Sequence, residues 1–170
     1  MNADAKIYNL NRFFFNNLKQ SVPPTIILRH RKENLKKCSL RGLEKREDCL
    51  FFKYPLETLP NLENYLVLSM DAPVLNLEDQ NRGLVLIDGT WNYATKMLRS
   101  VSHLERRSLP SHFRTAYPRK QTGCPDPETG LASIEALYIS YLILQRDPAG
   151  LLDDYFWKND FLEKNPDANI

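Results

Sequence analysis

The 170-residue sequence predicts an α/β fold: a mostly parallel sheet with helices on both faces, preceded by a small amino-terminal α/β extension. Three features predict it. Short aliphatic runs bounded by polar or turn residues, TIILR (25–29), NYLVLSM (64–70) and LVLID (84–88), have the composition of buried strands. Segments with helical spacing alternate with them, as in chains whose parallel strands are joined by crossover helices. With 42% hydrophobic and 26% charged residues, the chain falls among globular domains and is long enough to bury one core.

In chain order, NLNRFFFNNLK (9–19) predicts a short amphipathic helix, ended by Pro23 and Pro24, which cannot continue one. TIILR and LFFKY (50–54) follow as strands, separated by a basic, turn-rich stretch. Pro55 and Pro60 bracket a connector to the strands at 64–70 and 84–88, between which NLEDQNRG reads as a short helix or turn. A helix is expected from Thr90 to about Arg99, and a further strand at FRTAY (113–117). QTGCPDPETG is a loop by its Gly and Pro content. LASIEALYISYLILQR (131–146) predicts a helix with Ser133 at its cap or first turn and Glu135 near the positive end of its dipole. Asp147-Pro148 interrupts it before a last amphipathic helix over AGLLDDYFWKNDFLEKN.

Several function classes are excluded. The longest apolar runs are too short to span a bilayer. The amino terminus lacks the basic start, apolar stretch and small-residue cleavage site of a secretory signal, so a cytoplasmic address is expected. Cys38, Cys49 and Cys124 are odd in number and form no C-x-x-C pair, and His30, His103 and His112 are scattered. Neither a disulfide framework nor a metal site is expected. With no G-x-G-x-x-G or Walker loop, a dinucleotide or nucleoside triphosphate lacks its phosphate cradle.

Net charge is only +2, but the basic residues are concentrated. Arg29, Arg31, Lys32, Lys36, Lys37, Arg41, Lys45 and Arg46 stand against Glu33, Glu44, Glu47 and Asp48. Lys96, Arg99, Arg106, Arg107, Arg114, Arg119 and Lys120 stand against Glu105 alone. Two basic segments on a nearly neutral chain suit a polyanion meeting one face, although a solvated charged surface has the same composition.

The stretch LVLIDGTWNYATKM carries the candidate chemistry. Parallel sheets bind ligands outside the carboxyl ends of their strands, and Asp88 stands where a strand hands over to a helix. Gly89 permits a close backbone approach or an unusual φ, Thr90 is placed to cap the helix, and Trp91 adds an aromatic wall beside the carboxylate. The alternative is structural: Asp88 as an N-cap and Trp91 as a core residue.

Asp88-Gly89-Thr90-Trp91 followed by Ala94, Lys96 and Met97 resembles the D-T-W motif of the DTW-domain RNA aminocarboxypropyltransferases. KKCSLRGL (36–43), RSLP (107–110), the S-x-E-A-L of Ser133–Leu137 and the F-W-x-x-x-F-L-E-x-N of Phe156–Asn165 resemble the related ribosomal RNA enzymes, in the same order. The resemblance covers about residues 25–165. It implies a SPOUT-like fold with a carboxy-terminal trefoil knot, in which residues 61–170 bind the donor and residues 1–60 form an amino-terminal α/β part, as two units or one. It also implies S-adenosylmethionine as co-substrate, no metal, and structured RNA as partner of a monomer. By the same resemblance Ile87 and Asp88 lie beside the ribose and the reaction centre, and Trp91 and Ala94 bury the donor methyl group. Leu109 and Thr129 flank the adenine, and Ser39 and Ser133 stand near the amino-acid end. The CPDPETG loop departs from the family pattern.

A sulfonium activates three carbons, so positioning selects what is transferred. With the methyl hidden by Trp91 and Ala94, the aminocarboxypropyl methylene faces the RNA and methylthioadenosine leaves. The implied acceptor, N3 of a uridine-type base, must lose its proton to react. Asp88 is the candidate to accept or orient that proton, or to stabilise the sulfonium. N3 lies on the Watson-Crick edge, so the base must be unpaired. Arg29, Arg31, Lys36, Lys37, Arg41, Arg114 and Arg119 are the expected phosphate contacts. D-G-T-W leans toward transfer RNA as substrate, whereas K-K-C-S and the carboxy-terminal motifs lean toward ribosomal RNA, which is favoured. The alternatives are a SPOUT-type RNA methyltransferase and a non-catalytic RNA-binding assembly factor.

Overall fold

The structure, a computed structural model, describes residues 22–118 and 130–168. The helix expected over 9–19, most of the QTGCPDPETG loop, Cys124, and the candidate residues Arg119 and Thr129 lie outside the described residues.

Five strands form one sheet: β1 (Thr25–His30), β2 (Cys49–Tyr54), β3 (Tyr65–Leu68), β4 (Gly83–Asp88) and β5 (Glu105–Arg107). Their order is β2-β1-β4-β3-β5, and every neighbouring pair is parallel. Strands from both sides of residue 60 interleave, since β1 pairs with β2 on one side and β4 on the other. All six residues of β1 are buried, which accounts for the run of apolar side chains without polar alternation.

Alternation along the strands divides the core into two layers. Ile26, Leu28, Val67 and Val85 face one side and pack with Met97 and Val101 at the base of helix α1 (Trp91–Ser100). Ile27, Leu66, Leu84 and Leu86 face the other, where helices α2 (Ser133–Ile143) and α3 (Lys158–Lys164) supply Ile134, Leu137 and Phe161. Helix α2 is apolar nearly all round because nearly all of it is buried. Tyr141, on its last turn, reaches Thr25 Oγ1 at 3.0 Å and donates to Asp48 Oδ2 at 3.0 Å, tying the helix to the start of β1 and the residue before β2.

Three expected elements differ. FRTAY is not a strand, because side chains take up its backbone groups. Glu135 accepts from the Ala116 N–H, and Asn165 both accepts from the Arg114 N–H and donates to its carbonyl. The edge strand is instead the charged tripeptide Glu105–Arg107. Helix α2 ends before Asp147-Pro148: Gln145 takes a positive φ of 53° and the Arg146 N–H reaches back to the Tyr141 carbonyl at 2.8 Å, a Schellman closure. The last helix is confined to Lys158–Lys164. Upstream, Leu151, Asp153, Tyr155 and Lys158 each donate to the residue three before, and this chain of turns buries Leu151, Leu152 and Tyr155 without a helical ladder.

Candidate functional site

Neighbouring strands β1 and β4 send the chain in opposite directions, β1 outward to β2 and β4 through α1 across β3 to β5. The carboxyl ends of two strands at such a reversal are the usual ligand position in a parallel sheet. Arg29 and Asp88 are register partners at those ends, and alternation places both on the α2 side.

Asp88 is 4% exposed and has both oxygens engaged. Oδ2 accepts from Arg29 Nε at 2.8 Å and from Cys38 Sγ at 3.4 Å, and Oδ1 accepts from Ser133 Oγ at 3.1 Å. Arg29 continues the network, with Nη1 on Glu44 Oε1 at 2.7 Å, Nη2 on Cys38 Sγ at 3.4 Å, and its guanidinium carbon 4.5 Å from the centre of the Phe51 ring. Burial disfavours the Arg29 charge, but its bonds to Glu44 and Asp88 outweigh that and raise its pKa. The Cys38 thiol is pushed up to about 12, first by burial and next by the negative charge of Asp88. Ser39, beside Cys38, accepts the Ile134 N–H on Oγ at 3.3 Å and so docks the 38–39 segment on the first turn of α2. One carboxylate thus links β1, β4, the 38–39 segment and the start of α2.

Glu33 follows three residues after β1 and is half-buried. Burial raises its carboxyl pKa, and the charge of Asp88 adds to the shift. On the opposite face, His30 stacks on Tyr93 at 3.8 Å and accepts the Lys32 N–H on Nδ1 at 3.2 Å. Burial, then Arg31 and Lys32, lower its pKa and favour the neutral ring.

Gly89 sits in a tight place: a Cβ there would meet His30 Cβ and Met97 Sδ, both at 3.2 Å, so these neighbours would have to give way by a few tenths of an ångström. Thr90 caps α1 through its carbonyl, which accepts from the Tyr93 and Ala94 N–H groups at 2.9 and 2.8 Å, without a side-chain cap. Asp88 is not the N-cap. Trp91 and Ala94, three apart on the first turn, are both half-buried, as is Ile87 at the end of β4.

Leu109 reaches its place by another route. Arg107 grips buried Asp79 with Nε and Nη2 at 2.8 and 3.1 Å, and the Ser108 N–H and carbonyl bond Pro73 and Leu75. Leu109 follows, half-buried against the α2 side of the core.

The expected residues therefore divide. Asp88 and Ser133 bond directly, and Ser39 joins the same helix start one residue on. Arg31, Lys36, Lys37, Arg41 and Arg114 are exposed. Arg29 is a correction: its side chain is 10% exposed and committed to Asp88 and Glu44, so it is not a surface phosphate contact. Sequence reasoning missed the partners Cys38 and Glu44. The available signal was an arginine closing an otherwise apolar buried strand, since a buried charge requires a partner.

Among the described residues no group of three or more His, Cys, Asp or Glu side chains is arranged to hold a metal, and no helix is long and apolar enough to cross a membrane. A cavity of about 390 Å³ lies on the α1 side, between Leu28, Tyr54, Leu62 and His103, and none of the expected site residues lines it.

No protein-family model and no curated protein matches the chain. Among solved structures, the chain is similar to a protein from Vulcanisaeta distributa described as the SAM-dependent rRNA:acp-transferase Tsr3, with a TM-score of 0.64. The match covers 86% of this chain and 80% of that one at 22% identity, which shows a shared fold.

Proposed function

We propose that the chain transfers the 3-amino-3-carboxypropyl group of S-adenosylmethionine to N3 of a uridine-type base in structured RNA, ribosomal RNA in preference to transfer RNA, releasing methylthioadenosine. The observation that carries this reading is the convergence of Asp88, Ser133 and Ser39 at the reversal between β1 and β4, three residues before Trp91. The shared fold with a protein described as an rRNA acp-transferase supports it. The reading includes a SPOUT-like carboxy-terminal knot, a monomeric state and a cytoplasmic address.

The donor set suits a zwitterionic sulfonium. The Ser39 and Ser133 hydroxyls stand at the positive end of α2, where a carboxylate is stabilised, and Asp88 supplies negative charge for the cationic centre. Bound there, S-adenosylmethionine supplies an activated methylene that N3 attacks. Trp91 and Ala94 shield the methyl carbon, Ile87 and Leu109 hold the nucleoside part, and Thr129 borders the adenine. Asp88 acts by electrostatic stabilisation and positioning. Its oxygens already accept from Arg29, Cys38 and Ser133, which supports that role. Arg31, Lys36, Lys37, Arg41, Arg114 and Arg119 guide the RNA phosphates to the mouth of the crevice.

Nucleoside mass spectrometry on RNA from cells lacking the gene tests the reading. The expected result is loss of the aminocarboxypropyl-modified base from ribosomal RNA with transfer RNA unchanged. Loss of a methylated base instead, with the adduct retained, would refute it.

A further inference from the structure

Arg107 and Ser108 are tied down through both backbone and side chain. The Arg107 carbonyl accepts from the Ser69 N–H at 2.8 Å, and its guanidinium forks onto the Asp79 carboxylate, which is 5% exposed. One residue on, the Ser108 N–H donates to the Pro73 carbonyl at 2.9 Å and its carbonyl accepts from the Leu75 N–H at 2.8 Å. The Ser108 hydroxyl donates to the Ala72 carbonyl at 2.7 Å. Asp79 is itself held: it forms a capping box with Asn76, and Arg82 Nη1 stands 3.7 Å from its Oδ1.

This anchoring stops at Leu109. Among the described residues neither its N–H nor its carbonyl has a hydrogen-bond partner, although the residue is half-buried. Half-buried peptide groups left open in this way are available to a ligand. Their place suits one. Strand β5 runs parallel to β3 and β4, so Leu109 follows a strand end at the same edge of the sheet as Asp88. Its side chain packs in the core layer to which α2 contributes. An apolar pair in place of Asp79 and Arg107 would hold the two segments together equally well. A two-pronged carboxylate–guanidinium fork adds a fixed orientation, and hence a fixed path for the chain that leaves it.

We propose that Asp79 and Arg107 are positioning residues that aim the Leu109 peptide groups at the base of the donor and so select adenine. The proposal rests on the reading above, in which Leu109 holds the nucleoside part of S-adenosylmethionine, and adds what aims it. Adenine presents an acceptor at N1 beside a donor at its 6-amino group. Hypoxanthine presents the reverse, a donor at N1 and an acceptor at O6. An N–H and a carbonyl held in one orientation pair with the first base and are left unpaired against the second. On a loosened segment the same groups turn to suit either base.

The test uses the full chain and two nucleosides that differ only in this edge, methylthioadenosine and methylthioinosine, with affinities read by calorimetry. Wild type should prefer methylthioadenosine about 10- to 100-fold, the range expected for a buried group left unpaired. Arg107→Met with Asp79→Leu should keep the urea midpoint near that of wild type, because an apolar pair replaces a buried ion pair. Its preference should fall to about threefold or less. Arg107→Lys keeps the charge and loses the fork; it should lower the preference as well, and it carries the test if the double variant does not fold. A merely structural pair would lower the midpoint or weaken both nucleosides equally, and an unchanged ratio in a folded variant overturns the proposal while leaving the transferase reading intact. So does a wild type that binds S-adenosylmethionine without discriminating between the two nucleosides. A wild type that binds neither S-adenosylmethionine nor the nucleosides overturns the reading on which the proposal rests.

Discussion

Two buried carboxylates, Asp88 and Glu135, are satisfied in opposite ways. Asp88 stands at 4% exposure against a guanidinium, a thiol and a hydroxyl. Glu135 is fully buried and meets neutral donors only, among the described residues: Ala116 N–H and Tyr155 Oη on one oxygen, at 2.8 and 2.7 Å, and Thr115 Oγ1 and Ala132 N–H on the other, both at 2.7 Å. Fixed backbone and hydroxyl dipoles complete the second site from within, and it serves to hold three segments together. The first instead pairs with a cation, a thiol and a hydroxyl at the carboxyl end of the β1–β4 pair, so its charge is balanced by another charge and not by dipoles alone. Carboxylates of similar burial are thus satisfied by an ion pair in one place and by neutral donors alone in the other.

The largest expected effect that sharpens this contrast is on stability. Asp88→Ala leaves the Arg29 charge buried with only Glu44, itself partly exposed, and should lower the unfolding free energy by about 3–5 kcal/mol in urea titration. Arg29→Met with Asp88→Leu should recover most of that loss while transfer stays absent, which separates folding from function. An Asp88→Ala chain as stable as wild type would break the contrast, because the pair would then contribute nothing to the fold. Glu135→Gln should cost about 1–3 kcal/mol, since its amide group faces donors and leaves one unsatisfied. Donor affinity by calorimetry should fall less for this variant than for Asp88→Asn.

Trp91→Ala comes next. Half-buried on the first turn of α1, Trp91 is expected to weaken donor binding about tenfold when truncated, with a small change in urea midpoint. A large drop in stability with donor affinity unchanged would return Trp91 to a packing role.

The smallest effect is a pH dependence. The Cys38 thiol has its pKa raised from 9.0 to about 12 in the fold, so between these values the unfolded chain releases a proton that the folded chain keeps. Its contribution to stability is therefore full below pH 9 and declines as pH rises toward 12. Peptide mapping after iodoacetamide at pH 8 should find Cys38 labelled far more slowly in folded than in unfolded protein.

Much of the sheet was legible in the sequence. TIILR and LVLID lie where their composition places them, and the Asp88–Trp91 corner opens a helix as expected. Less legible were features decided by distant side chains. Nothing local in FRTAY reveals that Glu135 and Asn165 claim its backbone, and nothing local in ERR marks the sheet edge. The Arg29–Asp88 pair spans 59 residues, and only the register of β1 on β4 brings it together. Glu135 was read as a helix-dipole acid, which its bond to the Ala132 N–H supports, but its reach to Thr115, Ala116 and Tyr155 depends on the tertiary fold.

The most direct test follows the transferred carbon. Purified full chain is incubated with RNA and with S-adenosylmethionine labelled either in the carboxyl group or in the methyl group. Label entering RNA from the carboxyl-labelled donor alone, with methylthioadenosine released, is the predicted result. Label entering from the methyl-labelled donor, or from neither, would contradict it.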